Sequence, residues 1–344
     1  MPYDPLARGA HPVGVRSATL TDPARDGRTI DVELWYPATG AFAGRDTGEA
    51  TRDRYELLPG VSMWQLAARD ADAAVGSFPV VAFSHGFGSH RRQSTFLCTH
   101  LASRGYVVVA PDHTGNTVRE LIATAMGGRR SPVAIATLLD DRPADVSLAI
   151  DHALAACAGA DASRIGVTGH SFGGWTALAA ISRDDRIRAA VPLAPAGGAS
   201  SATDPRLLFE RLDFDWNREV PTLFIVAELD SVLPLASMPA LYDPVRSQKR
   251  MVVIERADHM HFCDAVERIH EMFRMLPRVE GVPSSANSLP IAALAPGEHG
   301  YVTVRGLTLA HFDAYLNGDD AAREFLVDDW RDMLRAHGVA FTER

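Results

Sequence analysis

The sequence contains few cysteines and no long apolar run. Its three cysteines, Cys98, Cys157 and Cys263, are an odd number in a chain of 344 residues, so a disulfide framework is not indicated. No stretch reaches the roughly 18 consecutive apolar residues that a membrane-spanning helix requires. The opening MPYDPLARGAHPVG has Asp and Pro where a signal peptide has an apolar run. We therefore expect a cytoplasmic protein without a transmembrane segment.

Positive charge is also scarce. Lys and Arg total 34 against 43 Asp and Glu, which gives a formal net charge of −9. Basic residues form short pairs such as Arg91-Arg92 and Arg129-Arg130, whereas a nucleic-acid-binding surface needs a continuous basic stripe. The nucleotide-binding patterns GxxxxGK[ST] and GxGxxG do not occur. We expect neither nucleic acid nor a nucleotide among the partners.

The composition, with 47% hydrophobic and 22% charged residues, is that of an ordinary globular protein. From residue 78 onward, Val- and Ile-rich runs alternate with segments of helical spacing, which is typical of an α/β protein with a parallel sheet covered by helices on both faces. The predicted strands are 78–84, 106–111, 164–168, 187–193, 221–227 and 250–255, after an antiparallel pair at 13–20 and 29–36. The predicted helices are 93–104, 143–158, 172–182, 307–316 and 321–337.

Four irregular stretches interrupt this alternation: residues 39–77, 113–142, 196–219 and 277–300. Long irregular segments in a compact domain usually form lids or binding loops. The sequence contains no internal repeat. We interpret the chain as one domain, 1–344, with these four insertions as lid or pocket elements.

The most specific motif is Gly169-His170-Ser171-Phe172-Gly173-Gly174. It matches GxSxG and stands between a predicted strand and a predicted helix, which is the context that a nucleophile elbow requires. The sharp turn forces the serine into a strained backbone conformation, so its neighbours must be small, as Gly169 and Gly173 are. Ser171 is therefore the candidate nucleophile.

A serine hydroxyl needs a base, and in this topology the acid and then the histidine follow the nucleophile along the chain. Asp230 begins the loop after the strand at 221–227, although it could instead cap the helix that follows Pro234. His259 and His261 both follow the last core strand. We prefer His259 because a shorter connection holds it to the strand, and we expect His261 to support the loop.

The transition state of acyl transfer also needs donors for the developing oxyanion. Ser84-His85-Gly86-Phe87-Gly88 follows the strand at 78–84, the position from which one backbone N–H is supplied. We assign the N–H groups of Phe87 and Phe172. We expect His85 and Gly86 to support the shape of this loop, with His85 hydrogen-bonded to it.

A metal site is the competing interpretation of the histidine-rich segment. Asp258, His259, His261, Cys263 and Asp264 could supply ligands if the segment were extended. The sequence offers no second cluster to complete the set, and the triad already accounts for one histidine. We therefore expect neither a metal nor an organic cofactor.

These motifs resemble a known group. GHSFGG, FSHGFG and the order Ser171, Asp230, His259 resemble the α/β-hydrolase superfamily. Within it, VELWYPA (32–38), PVVAFSHGFGSHR (79–91) and LASRGYVVVAPDH (101–113) resemble platelet-activating-factor acetylhydrolase type II and dienelactone-hydrolase-like esterases.

Chlorophyllases and cutinases share the same loop and elbow. HMHFCD (259–264) resembles the His-x-x-Phe-x-Asp stretch of the acetylhydrolases, whose first histidine is catalytic, which favours His259. True dienelactone hydrolases have cysteine where this chain has Ser171.

The resemblance implies an α/β-hydrolase fold and a serine esterase. We expect a carboxylic-ester hydrolase that acts on small or short-acyl esters through an acyl-enzyme. An amidase or acyltransferase with the same triad is the alternative among enzymes. A non-catalytic ligand receptor on this fold is the alternative of another class, although a receptor would typically lack a triad member.

Overall fold

The computed structural model describes residues 3–125, 134–198, 205–275 and 287–344. It divides into two compact units. Ala7–Gly166 form one, here called the N-terminal unit, and Met1–Leu6 with Val167–Arg344 form the other, the C-terminal unit. The interpretation as one domain stays a prediction. No helix in the described part of the chain is long and apolar enough to cross a membrane.

The N-terminal unit is built on a mixed sheet. Its elements are β1 (Val13–Asp22), β2 (Arg28–Pro37), β3 (Arg54–Leu58), β4 (Val61–Trp64), β5 (Ala68–Arg69), β6 (Phe78–Ser84), α1 (Thr95–Ser103), β7 (Val107–Pro111), α2 (Val118–Ala125), α3 (Ile135–Ala156) and most of β8 (Ala160–His170). Strands β6 and β7 are parallel, β7 pairs antiparallel with β2, and β2 with β1. Every residue of β6 and β7 is buried, as the apolar runs predict.

The C-terminal unit contains the end of β8 and the last three of the predicted parallel strands. Its further elements are α4 (Phe172–Ile181), β9 (Ile187–Leu193), α5 (Pro205–Phe209), β10 (Thr222–Ala227), α6 (Pro239–Tyr242), β11 (Lys249–Ile254), α7 (Val266–Met275), α8 (Gly297–Phe312), α9 (Asp320–Phe325), α10 (Asp329–Ala336) and β12 (Phe341–Glu343). Strands β9, β10 and β11 are parallel neighbours, and β12 pairs antiparallel with β11. The catalytic loops expected after β10 and β11 therefore leave the same edge of this sheet.

Three predicted helix boundaries are wrong. Helix α3 begins at Ile135, so Pro143 lies inside it and not in its first turn; burial of Leu138, Leu139 and the Arg142 side chain holds the preceding turns in place. Helix α8 begins at Gly297, ten residues before the predicted start and inside the predicted insertion. The predicted helix 321–337 is two helices, α9 and α10.

The insertion 39–77 carries the β3–β4 hairpin, which the sequence analysis missed. A buried polar network ties it to β2: Gln65 accepts a hydrogen bond from Trp35 Nε1 at 2.7 Å and donates one to Asp53 at 2.7 Å. Arg69 bridges Asp53 at 2.7 Å and Glu33 at 3.0 Å. The segment from Asp53 to Arg69 is therefore anchored at both ends. The other three predicted insertions lie partly outside the described residues.

Candidate active site

The candidate nucleophile lies between β8 and α4. Ser171 has φ 59° and ψ −119°, a conformation that a residue with a Cβ adopts only under strain. Three backbone hydrogen bonds hold it: its N–H donates to Leu193 at 2.9 Å, and its carbonyl accepts from Trp175 at 3.1 Å and Ala196 at 2.9 Å. Ser171 therefore stands on a rigid elbow at the start of a helix, where the helix dipole favours developing negative charge.

A third glycine shapes this elbow. A Cβ on Gly174 would lie 2.9 Å from Pro195 Cα and 3.2 Å from the Gly169 carbonyl oxygen, so the first turn of α4 passes directly against the loop after β9. Gly169 is the penultimate residue of β8, and Gly173 is the second residue of α4. The sequence accounts for Gly169 and Gly173 as small neighbours of Ser171, whereas the close approach at Gly174 becomes visible only in the fold.

The acid and histidine predicted from the sequence are hydrogen-bonded to each other. Asp230 Oδ2 lies 2.8 Å from His259 Nδ1, and both side chains are buried. Asp230 Oδ1 accepts the backbone N–H groups of Val232 at 2.9 Å and Leu233 at 2.6 Å. Asp230 therefore holds the following turn with one oxygen and orients His259 with the other. The alternative considered from the sequence, a cap on the helix after Pro234, is wrong, because the helical segments that begin at Leu235 and Pro239 have no side-chain cap.

His261 has different partners from His259. The segment His259–Phe262 is a 3-10 helix, so the two rings do not share one side. His261 Nδ1 accepts the N–H of Asp258 at 3.0 Å, and its Nε2 lies 2.9 Å from the Ala295 carbonyl oxygen. Since Nδ1 is an acceptor, Nε2 carries the proton and donates it to Ala295. His261 thus ties the loop to the segment before α8.

Opposing effects set the pKa of His259. Burial alone would lower it, but the negative charge and hydrogen bond of Asp230, together with the charge of Asp258, raise the pKa of His259 above its ordinary value. Asp258 itself accepts hydrogen bonds from Ser231 N–H at 2.7 Å and from Ser288 Oγ at 2.8 Å. Burial would raise the pKa of Asp258, but these donors lower it, so the second acidic charge near His259 is retained.

His170, the variable residue of the elbow motif, connects the elbow to the histidine loop. Its ring centroid lies 4.5 Å from that of His259 and 5.4 Å from that of Phe262, the latter in a stacked arrangement. Burial and the neighbouring His259 hold the pKa of His170 well below its ordinary value, so it stays neutral. No role for His170 is predicted from the sequence, although its position beside the nucleophile is a signal for one.

The loop after β6 lies in the N-terminal unit. His85 is buried, with Nε2 3.1 Å from the backbone nitrogen of His113 and Nδ1 2.7 Å from the Gly86 carbonyl oxygen. The Gly86 N–H donates to Gln93 Oε1 at 2.7 Å. Gly88 has φ +61°, and its missing Cβ leaves room for the Leu121 side chain. The oxyanion roles of Phe87 and Phe172 stay predictions.

The histidine-rich segment does not form the alternative metal site. His259 and His261 are hydrogen-bonded to different partners, and Cys263 Sγ lies 3.9 Å from His170 Nδ1. Within the described residues, no group of three or more His, Cys, Asp or Glu side chains is arranged to hold a metal ion.

Comparison with known proteins agrees with this architecture. Residues 69–273, more than half of the chain, match the family described as "PETase: PET hydrolase-like". The chain is 29% identical over 189 residues to Cutinase est1 of Thermobifida alba, covering 54% of each protein. It is 23% identical over 285 residues to platelet-activating factor acetylhydrolase of Cavia porcellus, covering 70% of this chain and 62% of that protein. The chain thus spans about half to three fifths of the length of these relatives.

A solved structure shows the fold. The ferulic acid esterase from Streptomyces cinnamoneus superposes with a TM-score of 0.62 at 23% sequence identity, over 91% of this chain and 93% of that one. The predicted fold class is confirmed: the protein has the α/β-hydrolase fold, with a mixed, mostly parallel central sheet and flanking helices. By the match over residues 69–273, the chain belongs to the PET hydrolase-like family.

Proposed function

We propose that this protein is a serine carboxylic-ester hydrolase. The observation that carries the proposal is the strained Ser171 elbow, whose neighbour His170 packs on the ring of His259 while Asp230 holds that ring through Nδ1. The names of the relatives support the same proposal, since they are a cutinase, an acetylhydrolase and a ferulic acid esterase.

We also propose a cytoplasmic location. The three cysteines of this chain are buried free thiols, which supports that proposal.

In the proposed reaction, Ser171 Oγ attacks the carbonyl carbon of the ester while His259 Nε2 takes the hydroxyl proton. Asp230 keeps the Nδ1–H tautomer and stabilises the imidazolium. The N–H groups of Phe87 and Phe172 stabilise the oxyanion. The tetrahedral intermediate expels the alcohol, which receives the proton from His259, and leaves an acyl-Ser171 ester. Water then attacks this ester with His259 again as base, and the carboxylic acid and free Ser171 are released.

We propose that the acyl group is short. Phe172, next to the nucleophile, packs against Trp175 with ring centroids 5.4 Å apart, and Trp175 Nε1 donates to the Leu208 carbonyl at 2.8 Å. Bulky rings therefore fill space beside the elbow, and the hydrogen bond from the Trp175 indole to Leu208 holds α5 in place. The acetylhydrolase relative supports the same preference.

Hydrolysis of p-nitrophenyl esters from acetate to palmitate tests both parts of the proposal. We expect kcat/KM to be highest between acetate and butyrate and to fall at least tenfold by octanoate, because each poorly accommodated methylene costs about 1 kcal/mol. The p-nitroanilide of the best acyl group serves as the amidase control. Cleavage of none of the esters would contradict esterase function, and a steady rise of kcat/KM to palmitate would contradict the short-acyl preference.

The pH profile should show the raised pKa of His259. The base must be neutral to accept the proton, so kcat/KM should fall as pH drops, with a midpoint above about 6.5, the ordinary histidine value. The sign for stability is opposite: pairing of protonated His259 with Asp230 stabilises the fold fully below about pH 6.5 and is lost as pH rises through the raised pKa. Circular dichroism at each pH is the control for folding. A midpoint clearly below 6.5 in a folded enzyme would contradict the assignment.

A further inference from the structure

A second Ser-His-Asp hydrogen-bonded chain lies in the N-terminal unit. Ser84 Oγ is 2.9 Å from His113 Nε2, and His113 Nδ1 is 3.0 Å from Asp145 Oδ2. All three residues are 0% exposed. No substrate reaches them, so this chain is not a second hydrolytic centre. Ser84 is instead the last residue of β6, directly before the loop that contains Phe87.

The donor and the acceptor of each hydrogen bond between Ser84, His113 and Asp145 can be assigned. Burial alone would raise the pKa of Asp145, but hydrogen bonds from Arg28 and His113 hold it well below its ordinary value, so Asp145 is ionised and accepts. Burial and the charge of Arg142 lower the pKa of His113 to about 3, so its ring is neutral. His113 Nδ1–H therefore donates to Asp145, and Nε2 accepts the hydroxyl proton of Ser84. The Ser84 oxygen keeps a lone pair for a further donor.

Arg142 supplies that donor and holds the loop. Its side chain is fully buried on α3, and one guanidinium nitrogen, Nη2, donates both to Ser84 Oγ at 3.2 Å and to the carbonyl oxygen of His85. Nη1 donates to Asn116 Oδ1 at 2.8 Å. Burial lowers the pKa of Arg142 to about 9, which leaves it charged at neutral pH. A buried guanidinium is costly unless its donors are satisfied, so these contacts restrict where the loop carbonyl can lie.

The next peptide unit carries this restraint to Phe87. Because His85 Nε2 accepts the backbone N–H of His113, the proton of the neutral ring is on Nδ1 and is donated to the Gly86 carbonyl at 2.7 Å. The Ser89 N–H donates to the same carbonyl at 3.2 Å. A trans peptide is planar, with its C=O and the following N–H antiparallel. Fixing the Gly86 carbonyl therefore fixes the direction of the Phe87 N–H.

We propose that Arg142 is a positioning residue for the oxyanion donor, acting through the His85 carbonyl and Ser84, and that the buried Asp145–His113–Ser84 chain orients it. This inference rests on the proposed function, since it gives the Phe87 N–H its role. Arg142 touches neither substrate nor a reacting atom. Its loss should therefore weaken stabilisation of the transition state, where the oxyanion exists, much more than it weakens binding of the ester.

The test is Arg142→Met, which retains an unbranched apolar stem in place of the aliphatic part of arginine and removes every donor of the guanidinium. We expect kcat on the best p-nitrophenyl ester to fall roughly 10- to 100-fold, somewhat less than for deletion of an oxyanion donor, with KM changed less than about threefold. Affinity for phenylboronic acid, which forms a tetrahedral adduct with an active serine, should fall in parallel with kcat. Arg142→Lys keeps the charge but has one donor centre, so its loss in kcat should be smaller. Arg142→Lys is also the variant on which the same measurements are made if Arg142→Met does not fold.

Arg28→Met is the matched control. Arg28 binds the same Asp145 at 2.8 Å and the Thr114 carbonyl at 2.9 Å, but has no hydrogen bond to Ser84 or His85. Both variants should lower the melting temperature, whereas the loss in kcat should be several-fold larger in Arg142→Met, because Arg28 acts on the loop only through Asp145. Equal kcat losses in the two positions, or a loss confined to KM, would overturn the inference.

Hydrogen–deuterium exchange separates this inference from the proposed function. In Arg142→Met, peptides covering residues 84–90 should exchange faster than in the wild type, and in Arg28→Met the increase should be much smaller. Unchanged exchange in Arg142→Met would overturn the inference even in an active enzyme. A wild type that hydrolyses no ester would instead contradict the proposed function, and the exchange comparison would still decide whether Arg142 holds the loop.

Discussion

Ser171→Ala should lower kcat on an activated ester by about 10⁵- to 10⁶-fold, because the variant has no nucleophile and cannot form the acyl-enzyme. The substitution isolates chemistry from folding. Alanine keeps the Cβ, so the backbone strain at φ 59° is the same, and the three hydrogen bonds that hold the elbow all involve backbone atoms. The melting temperature should therefore change little.

A fluorophosphonate probe measures the same site independently of turnover. It should label the wild type on the peptide that contains Ser171 and leave Ser171→Ala unlabelled. Ser182→Ala is the control, since Ser182 directly follows the same helix and its hydroxyl donates to the Ala179 carbonyl at 3.1 Å. Undiminished labelling of Ser171→Ala would show that another residue is the activated nucleophile.

His259→Ala and His261→Ala should differ by two or more orders of magnitude in kcat. Loss of the base should cost on the order of 10⁴- to 10⁶-fold, and loss of a supporting histidine roughly ten- to a hundredfold. The partners explain the difference. His259 has the ionisable partner Asp230, whereas both ring nitrogens of His261 are hydrogen-bonded to backbone atoms of Asp258 and Ala295.

The measurement is kcat of both purified variants on one ester, with melting temperatures as the folding control. His261→Ala should show the larger drop in melting temperature, because it removes the tie between the loop and the segment before α8. If His261→Ala is folded but inactive while His259→Ala keeps most of its activity, the base is His261 and not His259.

Several strands and the nucleophile elbow could be predicted because their signals are local. Strands β6 and β9 have the predicted boundaries, since continuous apolar runs end where the polar loop residues begin. The elbow motif combines a strand, a turn and a helix within a few residues. The order of acid and histidine then follows from the topology, and the structure brings Asp230 and His259 into contact.

The start of α8 could not be predicted because tertiary packing overrides propensity. The insertion 277–300 is predicted from its Pro-, Ser- and Ala-rich composition, and Gly297 and Gly300 at its end are poor helix formers. A Cβ on Gly300 would lie 3.1 Å from the carbonyl carbon of His261, so the helix passes closely against the histidine loop and requires glycine there. The feature that concealed the helix is thus a condition of its packing.

The hydrogen-bond network around Arg142 could not be predicted from the sequence, for a different reason. Ser84, His113, Arg142 and Asp145 come from three separate segments, and none of them belongs to a recognised motif. Their relation exists as hydrogen bonds between residues that are 29 to 58 positions apart in the chain. Pro143 further obscured it, because it suggested a helix start at the very turn that carries Arg142.

The β3–β4 hairpin also matters for practical use of the protein. Its tip, Pro59-Gly60, is exposed, and a Cβ on Gly60 would meet no atom within 4 Å. Its base is closed by backbone hydrogen bonds from Asp53 N–H to Ala67 and from Gln65 N–H to Asp53. Lengthening a closed loop costs only about 0.6 kcal/mol per doubling. The tip is therefore a suitable place to splice in an affinity tag or a linker for immobilising the protein on a support.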